Sequence, residues 1–267
     1  MARAEREEQR KARMRATRDR LHEKPLVSRN PIWRFCQFIF YYCIIIPLLK
    51  VGVTLWFGLK LENRAVFRSL KGQGYVVTSN HIHPMDCTMI GLSIFPRHAI
   101  YTSQEETFYV RGLGLLLKLL NCIPILSGMQ GLRIFLDTME AELKRGKVVV
   151  VYPEGEIGLL CDHLRKFRDG AFTLATRANV PIVPVILTPR ESRGIWKLFR
   201  REYCLTLTAG EPIMPVEAES QKKAVVQLRE QTFEAMAKLQ AEGGHAYPKN
   251  GPSGENAFWQ VKKSKDI

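Results

Sequence analysis

Residues 78–86, TSNHIHPMD, bring four side chains that can move protons or bind metal ions close together. His81 follows an apolar run. Asp86 stands five residues later, after Pro84, a residue that favours the first turn of a helix. A histidine at the end of a strand and an aspartate in the next helical turn can lie side by side. The carboxylate would then hold one ring nitrogen protonated and leave the other free to accept a proton from a hydroxyl group.

Two other interpretations of this segment remain open. Asp86 could simply stabilise the N-terminus of a helix, with His81 packed in a loop. Alternatively, His81 and His83 alternate onto one side of an extended segment and could bind zinc. The aspartate stands one position too late for the HxHxDH pattern of metallo-β-lactamase-like hydrolases, and the other four histidines are scattered. We therefore expect no metal ligands and no cofactor.

A second cluster of polar groups ends the apolar run in VVVVYPEGE. A Pro-Glu-Gly turn offers one carboxylate and backbone N–H groups that suit an anionic oxygen or a phosphate, although many strand-ending turns have this composition. Ligands of parallel sheets bind beyond the carboxyl ends of the strands. We therefore expect His81, Asp86, Glu154 and Gly155 to converge on one cleft.

Short β-branched runs alternate with helical stretches through most of the chain. We expect strands at LWFGLKLE, GYVVTSN, HAIYTS, CIPIL, KVVVVYPE, PIVPVILT and YCLTLTAG. We expect helices over residues 86–95, 105–120, 131–145, 170–179 and 216–242. This alternation predicts an α/β fold with a mostly parallel sheet flanked by helices.

An apolar segment precedes the α/β region. Residues 35–49 form a run of fifteen uncharged residues, which is short for a straight membrane span and contains Pro47. Its aromatic residues suit a membrane interface. We expect a helical segment that inserts into one leaflet. A tilted span and a buried core helix are the alternatives.

The chain is strongly basic, with a net charge of +14, of which residues 1–34 contribute +6. Such a positive net charge suits binding to an anionic membrane surface or to a phosphorylated substrate. No nucleic-acid-binding module is recognisable in the sequence. The six scattered cysteines indicate free thiols. We expect four regions: a basic helical or disordered N-terminus (1–30), a membrane-associated helical segment (31–55), an α/β domain (56–242) and a flexible polar tail (243–267).

Taken together, these motifs resemble the PlsC-like glycerolipid acyltransferases, typified by 1-acylglycerol-3-phosphate acyltransferase, over about residues 35–215. The family's NHxxxxD motif matches Asn80, His81 and Asp86, and its PEG motif matches residues 153–155. Its late V-P-[IV]-[VI]-P-V motif matches VPIVPV, and KFRDGAFTLA resembles the segment that joins the last two motifs.

The resemblance implies an acyltransferase of phospholipid biosynthesis on the cytoplasmic face of a membrane. His81 would be the general base and Asp86 would orient it. An acyl group would pass from acyl-CoA or acyl-ACP to a lysophospholipid, with 1-acylglycerol-3-phosphate expected first. Another lysolipid acceptor and a metal-dependent hydrolase are the alternatives. The expected substrate-binding residues are Asn80, Glu154, Gly155, Arg165, Lys166 and Arg168.

Two departures from the family pattern concern the acceptor's phosphate. Ser127 and Ile157 stand where the family usually carries phosphate-binding arginines, and Glu156 adds a negative charge. We therefore expect weaker selection of phosphomonoester acceptors than in a standard member. Compensation could come from Arg133, Arg165, Lys166 and Arg168.

Overall fold

A seven-stranded sheet forms the centre of the protein. The computed structural model describes residues 2–198 and 203–247. The strands are β1 Lys60–Glu62, β2 Tyr75–Ser79, β3 Ile100–Gln104, β4 Cys122–Ile125, β5 Val148–Val151, β6 Ile182–Glu191 and β7 Tyr203–Ala209. Their order is β1-β7-β6-β2-β5-β3-β4, and β6–β7 is the antiparallel pair in this sheet. The predicted α/β fold with a mostly parallel sheet is confirmed.

Helices cover both faces of the sheet. They are α1 Ala2–Glu23, α2 Pro31–Ile39, α3 Ile46–Phe57, α4 Ala65–Ser69, α5 Asp86–Ile94, α6 Leu113–Leu119, α7 Gly128–Lys144, α8 Gly170–Ala178, α9 Ile195–Leu198 and α10 Gln221–Glu242. A π-helical turn, Phe40–Ile45, joins α2 to α3, and a 3-10 helix, Glu105–Tyr109, follows β3. Helices α3 and α5 pack on one face, and α7, α8 and α10 pack on the other.

The central strands are apolar because both of their faces are covered. Every residue of β2 and β5 is buried. Along β2, Tyr75 and Val77 contribute to the core under α3 and α5, whereas Val76 contributes to the core under α7, α8 and α10. The end of β2, and with it the His81 segment, is therefore held between two packed layers.

Three predicted elements differ from the structure. The segment LWFGLKLE is not one strand, because α3 continues to Phe57 and ends at Gly58 in the left-handed conformation, which leaves only β1 extended. The helix predicted over residues 105–120 is interrupted before α6 at Gly112, whose φ is +79°. The last helix begins after Ser220, whose side chain accepts a hydrogen bond from the Lys223 N–H.

The basic N-terminal segment is a helix that is attached to the body at its C-terminal end. Leu21 is buried, and the His22 ring lies 3.1 Å from the buried carboxylate of Glu105. Of the two expectations for this segment, helical or disordered, the structure has the helix, and its C-terminal end contacts an apolar site and an acidic side chain. The predicted flexible tail lies mainly in residues 248–267, which are outside the described part of the chain.

The apolar segment forms one helical stretch, Pro31–Phe57, of 27 residues, long and apolar enough to cross a membrane. One side of this stretch packs on the body: the Tyr42 hydroxyl donates to the Pro96 carbonyl at 2.6 Å, and the Phe57 ring lies 4.8 Å from the His83 ring. The other side exposes large apolar residues, namely Ile32, Phe35, Phe38, Ile39, Ile44, Leu48, Val51, Leu55 and Trp56.

Candidate active site

His81 and Asp86 form a hydrogen-bonded pair at the carboxyl end of β2. His81 is the second residue after the end of β2, and Asp86 is the first residue of α5. The His81 Nδ1 atom lies 2.6 Å from Asp86 Oδ2. The Asp86 side chain is 1% exposed and the His81 side chain 24% exposed, so the carboxylate is buried while the imidazole reaches the surface of a cavity. A carboxylate on Nδ1 favours the tautomer whose Nε2 can accept a proton.

Tyr152 lies under the imidazole ring of His81 and was not among the residues predicted for the site. The two rings are stacked, with centroids 4.2 Å apart and an angle of 19° between their planes. Burial, with a further contribution from the charge of Asp86, raises the pKa of Tyr152 well above its ordinary value, so the phenol stays neutral. Its position directly before the Pro-Glu-Gly turn is the sequence signal that could have identified it.

The two predicted motifs converge because the loop after the Pro-Glu-Gly turn pairs with the His81 segment. The Gly158 N–H donates to the His81 carbonyl at 2.7 Å, and the Leu160 N–H donates to the Ile82 carbonyl at 2.9 Å. Strands β2 and β5 are neighbours in the sheet, so the two loops leave it side by side. These backbone hydrogen bonds fix the position of the His81 segment relative to the Pro-Glu-Gly turn.

Asn80, predicted to bind substrate, is buried and spans the gap between β2 and β6. Its Nδ2 donates to the Leu187 carbonyl at 2.9 Å, and its Oδ1 accepts from the Leu187 N–H at 2.8 Å. The side chain thus extends the hydrogen bonding between the two strands beyond the last backbone pair, Ser79 with Val185. The geometry favours a positioning role for Asn80 over the predicted contact with substrate.

His83 does not hydrogen-bond to Asp86 through its ring as His81 does. Its Nδ1 accepts a hydrogen bond from the Met85 N–H at 3.0 Å, and burial lowers the pKa of its ring. Because its Nδ1 accepts this hydrogen bond, the neutral His83 ring carries its proton on Nε2 and has no free nitrogen for a metal ion, which disfavours the zinc alternative. Within the described ranges, the one group with metal-binding geometry is the consecutive set Cys161, Asp162 and His163, and it contains neither histidine of the HIH segment.

Glu154, Gly155 and Arg165 are held together by contacts within the turn. The buried Glu154 carboxylate accepts from Arg165 Nε at 3.0 Å and from its terminal nitrogen at 2.5 Å. The Gly155 N–H donates to the Tyr152 carbonyl at 3.1 Å, so this backbone donor is engaged within the turn. The predicted binding group therefore contains one ion pair that stabilises the turn itself.

Lys166 and Arg168 remain as exposed cations beside the turn. Lys166 is exposed, and the Arg168 side chain is 67% exposed at 3.5 Å from Glu156. Arg168 lies over Gly155, because a Cβ atom placed on that glycine would be 2.7 Å from the guanidinium carbon. Since Gly155 also has a φ of +78°, a side chain there would be strained and would displace Arg168.

The two positions that depart from the family pattern differ in their relation to the cavity, because Ile157 lines it and Ser127 does not. The Ser127 N–H donates to Glu105 Oε2 at 2.7 Å, and Ser127 precedes α7. Glu156 and Ile157 line the cavity directly. A negative charge is therefore present near each position where the family carries arginine.

A cavity of about 1160 Å³ opens beside the dyad. His81, Asp86 and Glu156 are among the residues that line it. Polar side chains at the end of β3, such as Ser103 and Gln104, also line it. Its apolar lining comes from the body and from the helical stretch Pro31–Phe57, through Tyr41, Ile45, Leu49, Leu117, Cys122 and Ile125. The site thus combines a hydrogen-bonded His81–Asp86 pair with a large, partly apolar cavity.

The fold and the site agree with the resemblance to the PlsC-like acyltransferases. The family model described as Acyltransferase matches residues 59–188, which contain β2, the dyad, the Pro-Glu-Gly turn and most of β6. These residues, just under half of the chain, are similar to the Acyltransferase family, and the resemblance predicted from the motifs is confirmed.

The curated relatives are 1-acyl-sn-glycerol-3-phosphate acyltransferases. The chain is 29% identical to the alpha enzyme of Ovis aries over 54% of this chain and 50% of that protein. It is 31% identical to the beta enzyme of Homo sapiens over 49% of this chain and 47% of that protein. The chain therefore spans about half the length of the curated relatives it matches.

A solved structure extends the likeness of the fold beyond the matched family region. PlsC, the 1-acyl-sn-glycerophosphate (LPA) acyltransferase of Thermotoga maritima, superposes with a TM-score of 0.55. The match covers 88% of this chain and 100% of the PlsC chain at 19% sequence identity. This likeness supports the fold alone.

Proposed function

We propose that the protein transfers a fatty acyl group from an acyl thioester to the hydroxyl of a lysophospholipid, with 1-acylglycerol-3-phosphate as the first candidate acceptor. The observation that carries the proposal is the His81–Asp86 pair in the lining of a large, partly apolar cavity. The names of the relatives support a lysophosphatidic acid acceptor. Acyl-CoA and acyl-ACP are both candidate donors.

His81 would act as the general base and then as the general acid. The acceptor hydroxyl loses its proton to His81 Nε2, and its oxygen bonds to the carbonyl carbon of the thioester. The tetrahedral intermediate collapses as the carbon–sulfur bond breaks. The proton on His81 then passes to the departing thiolate, which leaves a new ester, a free thiol and a neutral imidazole. Asp86 stabilises the imidazolium that forms between the two proton transfers.

The apolar part of the cavity would hold an acyl chain. Tyr41, Ile45 and Leu49 of the helical stretch Pro31–Phe57 line it together with Leu117 of α6. Burial of methylene groups against such a wall contributes about 0.8 kcal/mol for each CH₂. A long chain would therefore bind well while its thioester reaches the dyad.

The helical stretch Pro31–Phe57 would attach the enzyme to the cytoplasmic face of a membrane. It contacts the body near both ends, since the Gln37 side chain donates to the Lys118 carbonyl at 2.5 Å and Phe57 packs on His83. Such contacts favour insertion into one leaflet, because a helix that spans the bilayer would place its packed body inside the hydrocarbon. The basic N-terminus suits the anionic lipids of the cytoplasmic leaflet.

The acceptor's head group would meet the cations next to the Pro-Glu-Gly turn. Arg165 is engaged with Glu154, so Arg168 and Lys166 are the exposed cations beside Glu156. Fewer free guanidinium groups mean fewer bidentate contacts to a phosphomonoester. We therefore expect 1-acylglycerol-3-phosphate to be accepted with weaker preference over zwitterionic lysolipids than in a member with both arginines.

The proposal is tested by a transfer assay on detergent-solubilised protein. Acyl-CoA or acyl-ACP is supplied with a panel of lysolipids, and the released thiol and the new ester are both measured. His81→Ala should lower the rate about 10²–10⁴-fold. His83→Ala is the matched control and should have a much smaller effect, since its ring packs on Phe57.

Two results would contradict the proposal. The first is a His81→Ala variant that retains the wild-type rate of ester formation. The second is thiol release without ester formation, with equal loss in both histidine variants and recovery on addition of zinc. That pattern would indicate a metal-dependent hydrolase.

A further inference from the structure

The connection between β6 and β7 extends well beyond the active-site edge of the sheet. The last residue of β2, Ser79, pairs with Val185, whereas β6 continues to Glu191. At about 3.3 Å per residue, this extension carries the connection roughly 20 Å past the end of β2. The connection contains the short helix α9 and returns to the sheet at Tyr203.

This connection is attached to the C-terminal end of the apolar helical stretch. The Arg190 guanidinium donates to the Gly58 carbonyl at 2.5 Å, and the Trp196 indole N–H donates to the Leu55 carbonyl at 3.2 Å. These two carbonyls belong to the last turn and the cap of α3. Carbonyls at a helix C-terminus have no hydrogen-bond partner within the helix, so the connection supplies it. A Cβ atom on Gly58 would lie only 3.0 Å from the Trp196 ring, so the packing is close.

Exposed apolar side chains continue from α3 onto the connection. On α3, Leu55 is 67% exposed, and on α9, Ile195 is 58% and Leu198 80% exposed. Trp196, next to Ile195 in α9, joins the two segments through its hydrogen bond to the Leu55 carbonyl. Contiguous exposed apolar groups rimmed by polar residues are typical of surfaces that contact a partner or a membrane.

The same connection is strongly basic. Its sequence, RESRGIWKLFRRE over residues 190–202, contains five arginines or lysines and two glutamates, a net charge of +3. Lys197 is exposed between Ile195 and Leu198. Arg190, Arg193 and Lys60 line a cavity of about 550 Å³, to which Glu191 contributes the opposite charge. Cations interleaved with apolar side chains are the pattern of segments that lie on anionic membranes.

We propose that the β6–β7 connection is a second membrane-docking element, which binds the anionic surface of a bilayer beside the helical stretch Pro31–Phe57. Ile195 and Leu198 enter the interface, while Arg193 and Lys197 contact lipid phosphates. The inference rests on the proposed attachment of Pro31–Phe57 to a membrane. Two contacts, at α9 and along the apolar stretch, hold the protein in one orientation and keep the cavity mouth at the lipid surface.

Trypsin protection of the full-length protein in lipid nanodiscs tests the inference. One set of nanodiscs contains phosphatidylcholine alone, and the other also contains phosphatidylglycerol. Cleavage after Lys197 is expected to be roughly tenfold or more slower in the anionic nanodiscs, because each cation near an anionic surface strengthens binding about fivefold. Lys222 is the internal control. It is exposed at the opposite end of α10 from the connection, and its cleavage should not depend on the lipid.

Apolar contact is tested with Ile195→Ser/Leu198→Ser, which retains the cleavage site. This variant should lose the protection, whereas Met214→Ser, which alters a half-exposed apolar residue after β7, should keep it. The proposal would be overturned if the rate of cleavage after Lys197 changed neither with lipid charge nor with the double substitution. Protection that increases with protein concentration in solution would instead identify a second copy of the chain and would also overturn it.

The acyl-transfer assay in detergent separates this inference from the proposed function. The double variant should keep the wild-type rate with a short-chain soluble acceptor, because neither residue lines the active-site cavity. A wild-type protein that transfers no acyl group to any acceptor would refute the proposed function, while the cleavage pattern would still decide the docking surface.

Discussion

Replacing Asn80 with alanine should destabilise the protein far more than it weakens substrate binding. Both polar atoms of Asn80 are bonded to the backbone of Leu187, and Asn80 is 1% exposed. The substitution leaves the Leu187 N–H and carbonyl without these partners. A buried backbone group that loses its partner costs about 1–3 kcal/mol, so a total loss of about 3 kcal/mol is expected after partial entry of water.

This loss should appear as a lower melting temperature. For a chain of this size, 1 kcal/mol corresponds to about 2–4 °C, so Asn80→Ala should melt about 6–12 °C below wild type in detergent. Thr232→Ala is a control of equal burial, because its hydroxyl bonds to the Leu228 carbonyl within α10 and its loss leaves no strand group unpaired. Its melting temperature should change by less than about 4 °C.

The kinetic measurement distinguishes positioning from binding. At a temperature where the Asn80→Ala variant is folded, the KM for the acceptor should stay within about twofold of wild type, and kcat should fall as the His81 segment loosens. An unchanged melting temperature together with a large increase in the acceptor KM would refute this reasoning and restore the predicted substrate contact.

Three further predictions concern the dyad and the turn. Asp86→Asn should lower kcat by about 10³–10⁴ without a comparable change in melting temperature, because an amide no longer favours the tautomer with a free Nε2. Tyr152→Leu should lower kcat at least about tenfold at constant KM, whereas the phenylalanine variant, which keeps the stacked ring, should retain most activity; equal loss in both would contradict a role for stacking. Arg165→Ala should destabilise the protein by about 3 kcal/mol, since the buried Glu154 loses its partner, while Arg168→Ala should leave the melting temperature unchanged and raise the acceptor KM; the reverse pattern would assign the head group to Arg165.

Local signals in the sequence predicted the class of fold and the ends of most strands. The apolar runs around Val76 and Val149 are continuous because strands covered on both faces have no polar side, and the motifs that follow them identify the carboxyl edge. The boundaries of helices were predicted wrongly where a single glycine adopts a positive φ. The left-handed Gly58 ends α3 two residues before β1 begins, and the positive φ of Gly112 divides a continuous apolar pattern into two helices.

The sequence by itself determined that His81 and Asp86 pair, and it suggested the chemistry proposed for them. His81 and Asp86 are five residues apart across a strand–helix turn, and such local geometry follows from the spacing of the two side chains. The sequence also determined that an apolar helical segment precedes the α/β region, since its composition admits few other environments.

Only the tertiary structure decided which groups surround that pair and which of them remain free. Tyr152 reaches the His81 ring because β5 lies beside β2, an adjacency that no local pattern records. The Asn80 side chain is hydrogen-bonded to Leu187, 107 positions later in the chain, and Arg165 is paired with a glutamate eleven positions earlier. Hydrogen bonds and ion pairs between distant residues depend on how strands and loops pack. For that reason the same residue types that looked available to a substrate in the sequence are partly used to hold the site in place.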